Sequence, residues 1–343
     1  MPAPVPVKVA CVGAGYFSQF HYGSWSRIDN VLLVGSCNRD IEKARATGLP
    51  AYENLEQMLS ETTPDILDII LPPVAHANSI RTALQSGVKT LICQKPFCQS
   101  LEEAREMVAL AEEIGAKIIV HENFRFQPWY REMKRLVERG DVGQVQQLTF
   151  RLRPGDGQGA DAYLERQPYF RDMQRFLVHE TAVHWVDTFR YLLGDPSSVY
   201  ADLRQVNPVI SGEDAGYILS EHPGGVRALF DGNRTLDHSA DNHRCTMGEG
   251  LLEGTKGSLA LRGDGSLWLR QFGSRQENCV FQPNTWGGFG GDCVHHLQFH
   301  VVSGLLDKHP FENEAQSYLK VIEIENAIYA SAETGRKLKL EQN

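Results

Sequence analysis

Long apolar runs are missing from this 343-residue sequence; stretches such as Val31 to Val34 and Ile66 to Leu71 stop far short of the ~20 residues that a membrane-spanning helix requires. Positive charge is scarce too, with 34 Lys plus Arg against 43 Asp plus Glu and a formal net charge of -9. That sign argues against affinity gained by neutralising phosphates, so neither a membrane nor a nucleic acid is an expected partner. The seven cysteines are scattered and form no C-x-x-C pair, which suggests neither a disulfide framework nor a cysteine-based zinc site. They are expected as buried small side chains. Met1-Pro2-Ala3-Pro4 runs straight into a strand-like segment, without the basic start, apolar middle and cleavage site of a signal peptide, so the cytoplasm is the expected location. No internal repeat or low-complexity tract is visible. What remains is ordinary globular usage, 42% hydrophobic and 22% charged, in a chain long enough for two domains.

The first third alternates between two periods. Val5 to Val12, Val31 to Cys37, Ile66 to Leu71, Val88 to Cys93 and Lys117 to Val120 read as buried strands, and helical spacing fills most of the gaps. Continuous apolar strands separated by amphipathic helices predict an α/β parallel sheet covered on both faces. From Val145 onward, β-rich segments follow one another through Gly-rich turns, suggesting antiparallel strands. One long helix interrupts them at about Arg175 to Leu193, and two more, Asp292 to Leu306 and Glu314 to Glu333, close the chain. The domain boundary is expected near residues 120 to 125.

Gly13-Ala14-Gly15-Tyr16-Phe17-Ser18 nearly fits G-x-G-x-x-G, directly after a strand and at the opening of a helix. That context aims backbone N–H groups and a helix dipole at a pyrophosphate, which makes Gly13, Gly15, Tyr16 and Phe17 candidate cofactor contacts. The alternative is a plain strand-to-helix turn that needs two glycines. Ser18 replaces the third glycine, whose role is close helix packing. At the end of the second strand, where a carboxylate usually receives the ribose 2′-hydroxyl of NAD, stand Asn38 and Arg39. Asn38 can bond a hydroxyl without repelling a 2′-phosphate, and Arg39 can pair with one, so NAD and NADP both remain open.

Together with the glycine turn, Ile92-Cys93-Gln94-Lys95-Pro96-Phe97 and His121-Glu122-Asn123-Phe124-Arg125-Phe126 make the chain resemble the glucose-fructose oxidoreductase and inositol dehydrogenase family, Gfo/Idh/MocA. The likeness runs over essentially the whole length, through Pro72-Pro73-Val74-Ala75-His76, Gly143-Gln144-Val145, His184-Trp185-Val186-Asp187 and Ala327 to Gly335. It implies a Rossmann domain over residues 1–123 that binds NAD or NADP. It also implies a C-terminal α+β domain over 124–343, whose large open antiparallel sheet would join a homodimer or homotetramer; the C-terminal helices are candidates to pack back on the first domain. The implied reaction is hydride transfer from a hydroxyl carbon of a sugar or polyol to the nicotinamide. Pro72, His76, Gln94, Lys95 and Asn123 are then expected beside the cofactor. The family's E-K-P lysine and the Asp-x-x-x-His pair on its long helix match Lys95 and His184. Two departures stand out, Gln94 for Glu and Glu180 for Asp. Within the family, Cys-Gln-Lys-Pro-Phe, His-Glu-Asn-Phe-Arg and Arg204-Gln205-Val206-Asn207-Pro208 through Gly212-Glu213-Asp214 look most like bacterial pentose dehydrogenases, such as those for D-apiose.

Oxidising a secondary alcohol requires a base within about 3 Å of the hydroxyl oxygen as the hydride leaves. Lys95 and His184 are the candidates, and which of them takes the proton is open, since a lysine near its ordinary pKa of about 10.4 needs desolvation or a nearby cation to act. Glu180, four residues before His184, shares its face if the helix is regular. The loop from Arg153 through Tyr163 to Tyr169 is expected over the substrate, with Trp286 as a further lining residue. A metal is not expected: His296 and His300 are four apart, with His295 and Asp292 nearby, but no H-E-x-x-H is present, and Asp292 is expected to cap its helix. Two other readings share the cofactor, an NAD-dependent glycoside-cleaving enzyme working by transient oxidation and a non-catalytic cofactor-binding sensor.

Overall fold

A computed structural model describes residues 5–341 of the chain. Two units result, one formed by the chain up to Asn123 together with Val294–Ile322, the other by Phe124–Cys293 with Glu323–Asn343.

In the first unit, β1 (Val7–Val12) leads into α1 (Ser18–Trp25), β2 (Val31–Cys37), α2 (Ile41–Arg45), β3 (Ala51–Tyr52) and α3 (Leu55–Thr62). It continues through β4 (Ile66–Ile69), α4 (His76–Gln85), β5 (Thr90–Gln94), α5 (Leu101–Glu113) and β6 (Lys117–His121). The six strands pair in parallel in the order β3-β2-β1-β4-β5-β6. Every residue of β4 and β5 is buried, which is why these strands read as unbroken apolar runs. Local chemistry starts the helices. Asp40, Asn54 and Ser100 each accept a backbone N–H at the head of α2, α3 and α5. The order reverses between β1 and β4, and the crevice at their carboxyl ends is where open sheets of this kind take ligands.

The second unit begins with α6 (Pro128–Arg139), started by a proline in the first turn and stopped by Gly140 at φ 82°. After β7 (Val145–Leu152), the expected long helix arrives in two parts. Leu177–Ala182 is a π-helical turn, and the regular α7 (Val183–Leu193) follows it. Then come β8 (Ser198–Arg204), β9 (Ala215–Glu221), β10 (Arg227–Asn233), β11 (Gly248–Gly254), β12 (Gly257–Leu261), β13 (Leu267–Gln271) and β14 (Asn278–Phe281). Two long helices, α8 (Phe289–Asp307) and α9 (Ala315–Thr334), precede β15 (Leu338–Lys339). The nine strands run in the order β14-β13-β12-β11-β7-β10-β9-β8-β15. The sheet is mixed, not purely antiparallel as expected: β7 and β10 pair in parallel, because α7, β8 and β9 intervene as the crossover that a parallel pair requires. One sheet face packs Phe150 and Phe230 against Trp129, Trp185, Ile324 and Ile328, while Tyr200, Tyr217 and Leu219 stand exposed on the alternating positions of β8 and β9.

Asp292, expected from the sequence as a helix cap, stands at a break within α8, and the regular helix begins after it. It follows Gly290 and Gly291 in the left-handed region, at φ 64°. Among the described residues no helix is long and apolar enough to cross a membrane, and no cluster of His, Cys, Asp and Glu could hold a metal ion.

Candidate functional site

The glycine turn is built for close backbone approach. Gly13 adopts φ 110°, and a Cβ there would stand 2.1 Å from the Ile70 carbonyl oxygen, so packing between β1 and β4 alone demands glycine. Gly15 differs. A Cβ at Gly15 would meet nothing within 4 Å, so no protein atom explains its smallness, and an outside group approaching the backbone would. The N–H groups of Ala14 and Gly15 bond no other described residue. Ser18 fits the place of the third glycine because it is buried and its hydroxyl donates to the Gly15 carbonyl at 2.7 Å, tying the turn to α1. Tyr16 is exposed and Phe17 half-buried on the same turn.

At the end of β2, the Asn38 side-chain Oδ1 accepts from the Asp40 N–H at 2.9 Å, which leaves the Nδ2 hydrogens for a ribose hydroxyl. Arg39 is exposed beside it. These features suit a dinucleotide: open amides at a turn, a cradle that a Cβ would fill, and a neutral hydroxyl partner at the second strand.

Two expected cofactor contacts are turned inward. His76 is fully buried; its Nδ1 accepts from the Cys98 N–H at 3.3 Å and its Nε2 faces the Leu71 carbonyl at 2.7 Å. With both ring nitrogens engaged, it has no group for a ligand and instead staples the loop after β4, where Pro72 is exposed, to the segment following Lys95. Burial lowers its pKa from 6.5 to about 4. Gln94 is likewise used internally. Its Oε1 accepts from the Lys95 N–H at 3.0 Å and its Nε2 lies 2.9 Å from His21 Nε2. Since that amide can only donate there, His21 carries its hydrogen on Nδ1 and gives it to Asp68 at 2.8 Å. Trp25 also donates to Asp68 at 2.8 Å, and Gln298 at 3.3 Å. This buried chain, which sequence reasoning missed, ends on the backbone of Lys95. Lys95 itself is half-buried beyond the end of β5, before a cis bond to Pro96. Asn123 is buried two residues past β6.

In the second unit, His184 is buried on the first turn of α7, its ring stacked on Phe124 at 3.9 Å with planes 4° apart. Glu180 lies within the π-helical turn, half-buried. The regular four-residue stacking expected of Glu180 over His184 is therefore interrupted. The Val183 N–H reaches back five residues to Val178, which widens the turn by a residue. Arg125 binds Asp187 through two bonds, of 2.8 and 2.6 Å, beneath α7.

The loop after β7 divides. Arg153, expected at the substrate, is 7% exposed and spends its guanidinium on the Asp231 carboxylate at 2.6 Å and on the Leu152 and Asp231 carbonyls. Tyr163 is also internal: Arg234 donates to its hydroxyl at 2.6 Å, and that hydroxyl donates to Asp156 at 2.9 Å. Arg234, 2% exposed, additionally holds Asp156 at 2.8 Å and the Thr181 hydroxyl in the π turn. Burial works to raise the Asp156 carboxyl, and the Arg234 charge overrides it, leaving it below the usual range. Tyr169 remains 56% exposed as a whole, and its phenol is pushed up to about 12, first by desolvation and then by the Glu180 charge. Trp286 is half-buried, stacked on Phe281 and edge-on to Trp129. Asp156 and Arg234 carried no motif, and only the rarity of a buried arginine could have marked them.

Comparison with known proteins gives consistent matches. Residues 7–122 match a family described as an oxidoreductase family with an NAD-binding Rossmann fold, and residues 130–260 match the GFO/IDH/MocA C-terminal domain. A D-apiose dehydrogenase of Paraburkholderia graminis is 31% identical over 345 aligned positions, covering 97% of this chain and 89% of that protein. An inositol 2-dehydrogenase of Rhizobium meliloti is 24% identical over 74% of this chain and 75% of its own. Among solved structures, an oxidoreductase from Agrobacterium radiobacter in complex with NAD+, L-tartaric acid and magnesium superposes with a TM-score of 0.87 at 25% identity, covering 97% of this chain and 98% of that one.

Proposed function

Because this chain belongs to the Gfo/Idh/MocA oxidoreductases and carries their NAD-binding Rossmann domain, we propose that it oxidises a secondary hydroxyl of a sugar or polyol, with a pentose such as D-apiose as the substrate to try first. The observation that carries the reading is a lysine, Lys95, at the carboxyl end of β5 in the same unit as the open glycine turn, the end at which a doubly wound sheet receives its dinucleotide. Bound NAD supplies the hydride acceptor. The amides of the glycine turn and the Asn38 side chain would hold it, with Asn123 as a further proposed contact.

Lys95 and His184 are the groups proposed to handle the hydroxyl proton, one removing it and the other polarising the oxygen. Glu180 and Tyr169 are proposed sugar contacts, a carboxylate for hydroxyls and an aromatic face for the ring. Trp286 would add an apolar wall. Arg153 and Tyr163 hold the loop in shape. Asn38 in place of a carboxylate leaves room for NADP as well as NAD. A second copy of the chain is the proposed occupant of the exposed Tyr200, Tyr217 and Leu219 face, testable by light scattering on the purified protein. All seven cysteines are free thiols, which fits a reducing compartment and supports the cytoplasm as the location.

The test is a panel of aldoses, ketoses and inositols followed by NADH absorbance, with Lys95→Ala as the paired variant. Loss of a group taking part in proton transfer should lower kcat/KM by about 100-fold or more while NAD binding by fluorescence titration holds. A variant that keeps more than about a tenth of wild-type kcat/KM would sink the assignment. Sugar cleavage without NADH accumulation would point to transient oxidation instead.

A further inference from the structure

The turn that carries Glu180 is held open by groups that sit far from it in sequence. The Glu213 carboxylate, from the loop before β9, accepts through one oxygen from the N–H groups of Phe176 and Val178, both at 3.1 Å, and from the Tyr329 hydroxyl at 2.7 Å. The Glu213 carbonyl takes the Leu177 N–H at 2.9 Å. Tyr329 in turn accepts from the His179 N–H at 3.2 Å, and Glu325 on the same helix binds the His179 ring at 2.7 Å. The amides at the head of the turn, from Phe176 to His179, are thus satisfied from outside the helix. Beyond them the Val183 N–H reaches back to the Val178 carbonyl, the wide spacing of a π turn.

We propose that Glu213 is a positioning and specificity-determining residue: its carboxylate, braced by Tyr329, locks the Leu177–Ala182 turn in its wide form and so sets how far Glu180 reaches toward the sugar. Regular α-helical stacking would put Glu180 directly above His184. The extra residue in the turn moves it off that line, and a glutamate, one methylene longer than the aspartate usual in the family, extends from the displaced backbone. The departure at position 180 and the π turn are then two halves of one adjustment. This inference rests on the reading of Glu180 as a sugar contact.

Three variants test it. Glu213→Ala removes the acceptor. Glu213→Gln keeps one carbonyl oxygen for the same amides, and Tyr329→Phe removes only the brace. Glu213→Ala should raise the KM for the sugar about tenfold, roughly 1.4 kcal/mol, with the KM for NAD changed less than about twofold. Glu213→Gln should recover most of that loss, and Tyr329→Phe should fall between. Hydrogen exchange at Phe176, Val178 and His179 should quicken in the same order. His222→Asn, a variant of a buried residue that bonds Ser220 and the Gly194 carbonyl, controls for lost stability and should leave the sugar KM alone. Unchanged sugar KM in Glu213→Ala, sugar and NAD KM rising together, or Glu213→Gln behaving like Glu213→Ala would each overturn the proposal. If Glu213→Ala does not fold, an unchanged sugar KM in Tyr329→Phe does so. If the wild type turns over no sugar or polyol, the functional reading has failed, and exchange rates still decide whether Glu213 sets the turn.

Discussion

His76 should make the protein acid-labile well above the range where carboxylates titrate. Its ring is fully buried, with Nδ1 accepting from Cys98 and Nε2 against the Leu71 carbonyl, so a proton on Nδ1 would break one bond and place a charge in the interior. Burial takes its pKa from 6.5 to about 4. Between those values the unfolded chain binds a proton that the folded chain refuses, so stability rises with pH through that window and is lost on acidification. The full effect is worth about 3 kcal/mol, and about 2 kcal/mol of it is lost between pH 7 and pH 5. Asp156, also held below its ordinary value, acts only below about pH 4 and does not enter this window. His222 does enter it, since its pKa too is lowered by burial, so the diagnostic is a difference between proteins. His76→Gln offers one donor and one acceptor and never titrates. Urea unfolding at pH 7 and pH 5 should show the variant losing about 2 kcal/mol less than the wild type. Parallel losses within about 0.5 kcal/mol would refute the reasoning. NAD affinity at pH 7 should be the same in a correctly folded variant, because no part of the ring is left to touch the cofactor.

Asp156→Asn leaves the Arg234 guanidinium buried without its counter-charge and should cost about 3 kcal/mol in urea unfolding; Asp156→Leu combined with Arg234→Met should recover much of that, because breaking one half of a buried pair costs more than removing both. Equal losses in the single and double variants would argue against a charge-pair origin. Asn38→Asp should restore a carboxylate at the ribose 2′-hydroxyl and shift the NADP to NAD ratio of kcat/KM toward NAD by about tenfold or more, through repulsion of the 2′-phosphate. No change in the ratio would remove position 38 from the cofactor site.

Much of the first sheet was legible because β1, β4 and β5 are buried almost throughout and bounded by glycine or proline. Missed elements had weaker signals. β3 is two residues long, and α3 has only Met58 and Leu59 buried, too little apolar surface to show a period. α6, by contrast, was missed although its Pro128 start, its Gly140 stop and the helical spacing of Trp129, Tyr130, Met133 and Leu136 were all readable. The parallel pairing of β7 and β10 had no local signature at all; strand direction is decided by what the intervening chain does. Site residues divided along the same line. Gly13, Gly15 and Lys95 sit where a strand ends, a position that sequence reveals. For Arg153 and Tyr163 sequence gave only loop membership, and their orientation was set by Asp231 and Arg234, from a strand and a strand end some 70 to 80 positions away.

The glutamine at position 94 shows why a departure can be visible while its cause is not. Its partner His21 is 73 positions away, and His21 in turn donates to Asp68, 47 positions away. Asp68 takes hydrogens from Trp25 and Gln298 as well. Donating from Nδ1 to the Asp68 oxygen, the His21 ring keeps Nε2 as an acceptor facing position 94. A glutamate there would set a carboxylate oxygen against that lone pair, with no hydrogen to bond it. Glutamine supplies the hydrogen that the acceptor needs and turns its carbonyl to the Lys95 N–H, so the same exchange that removes a negative charge from beside Lys95 also fixes the backbone from which Lys95 extends.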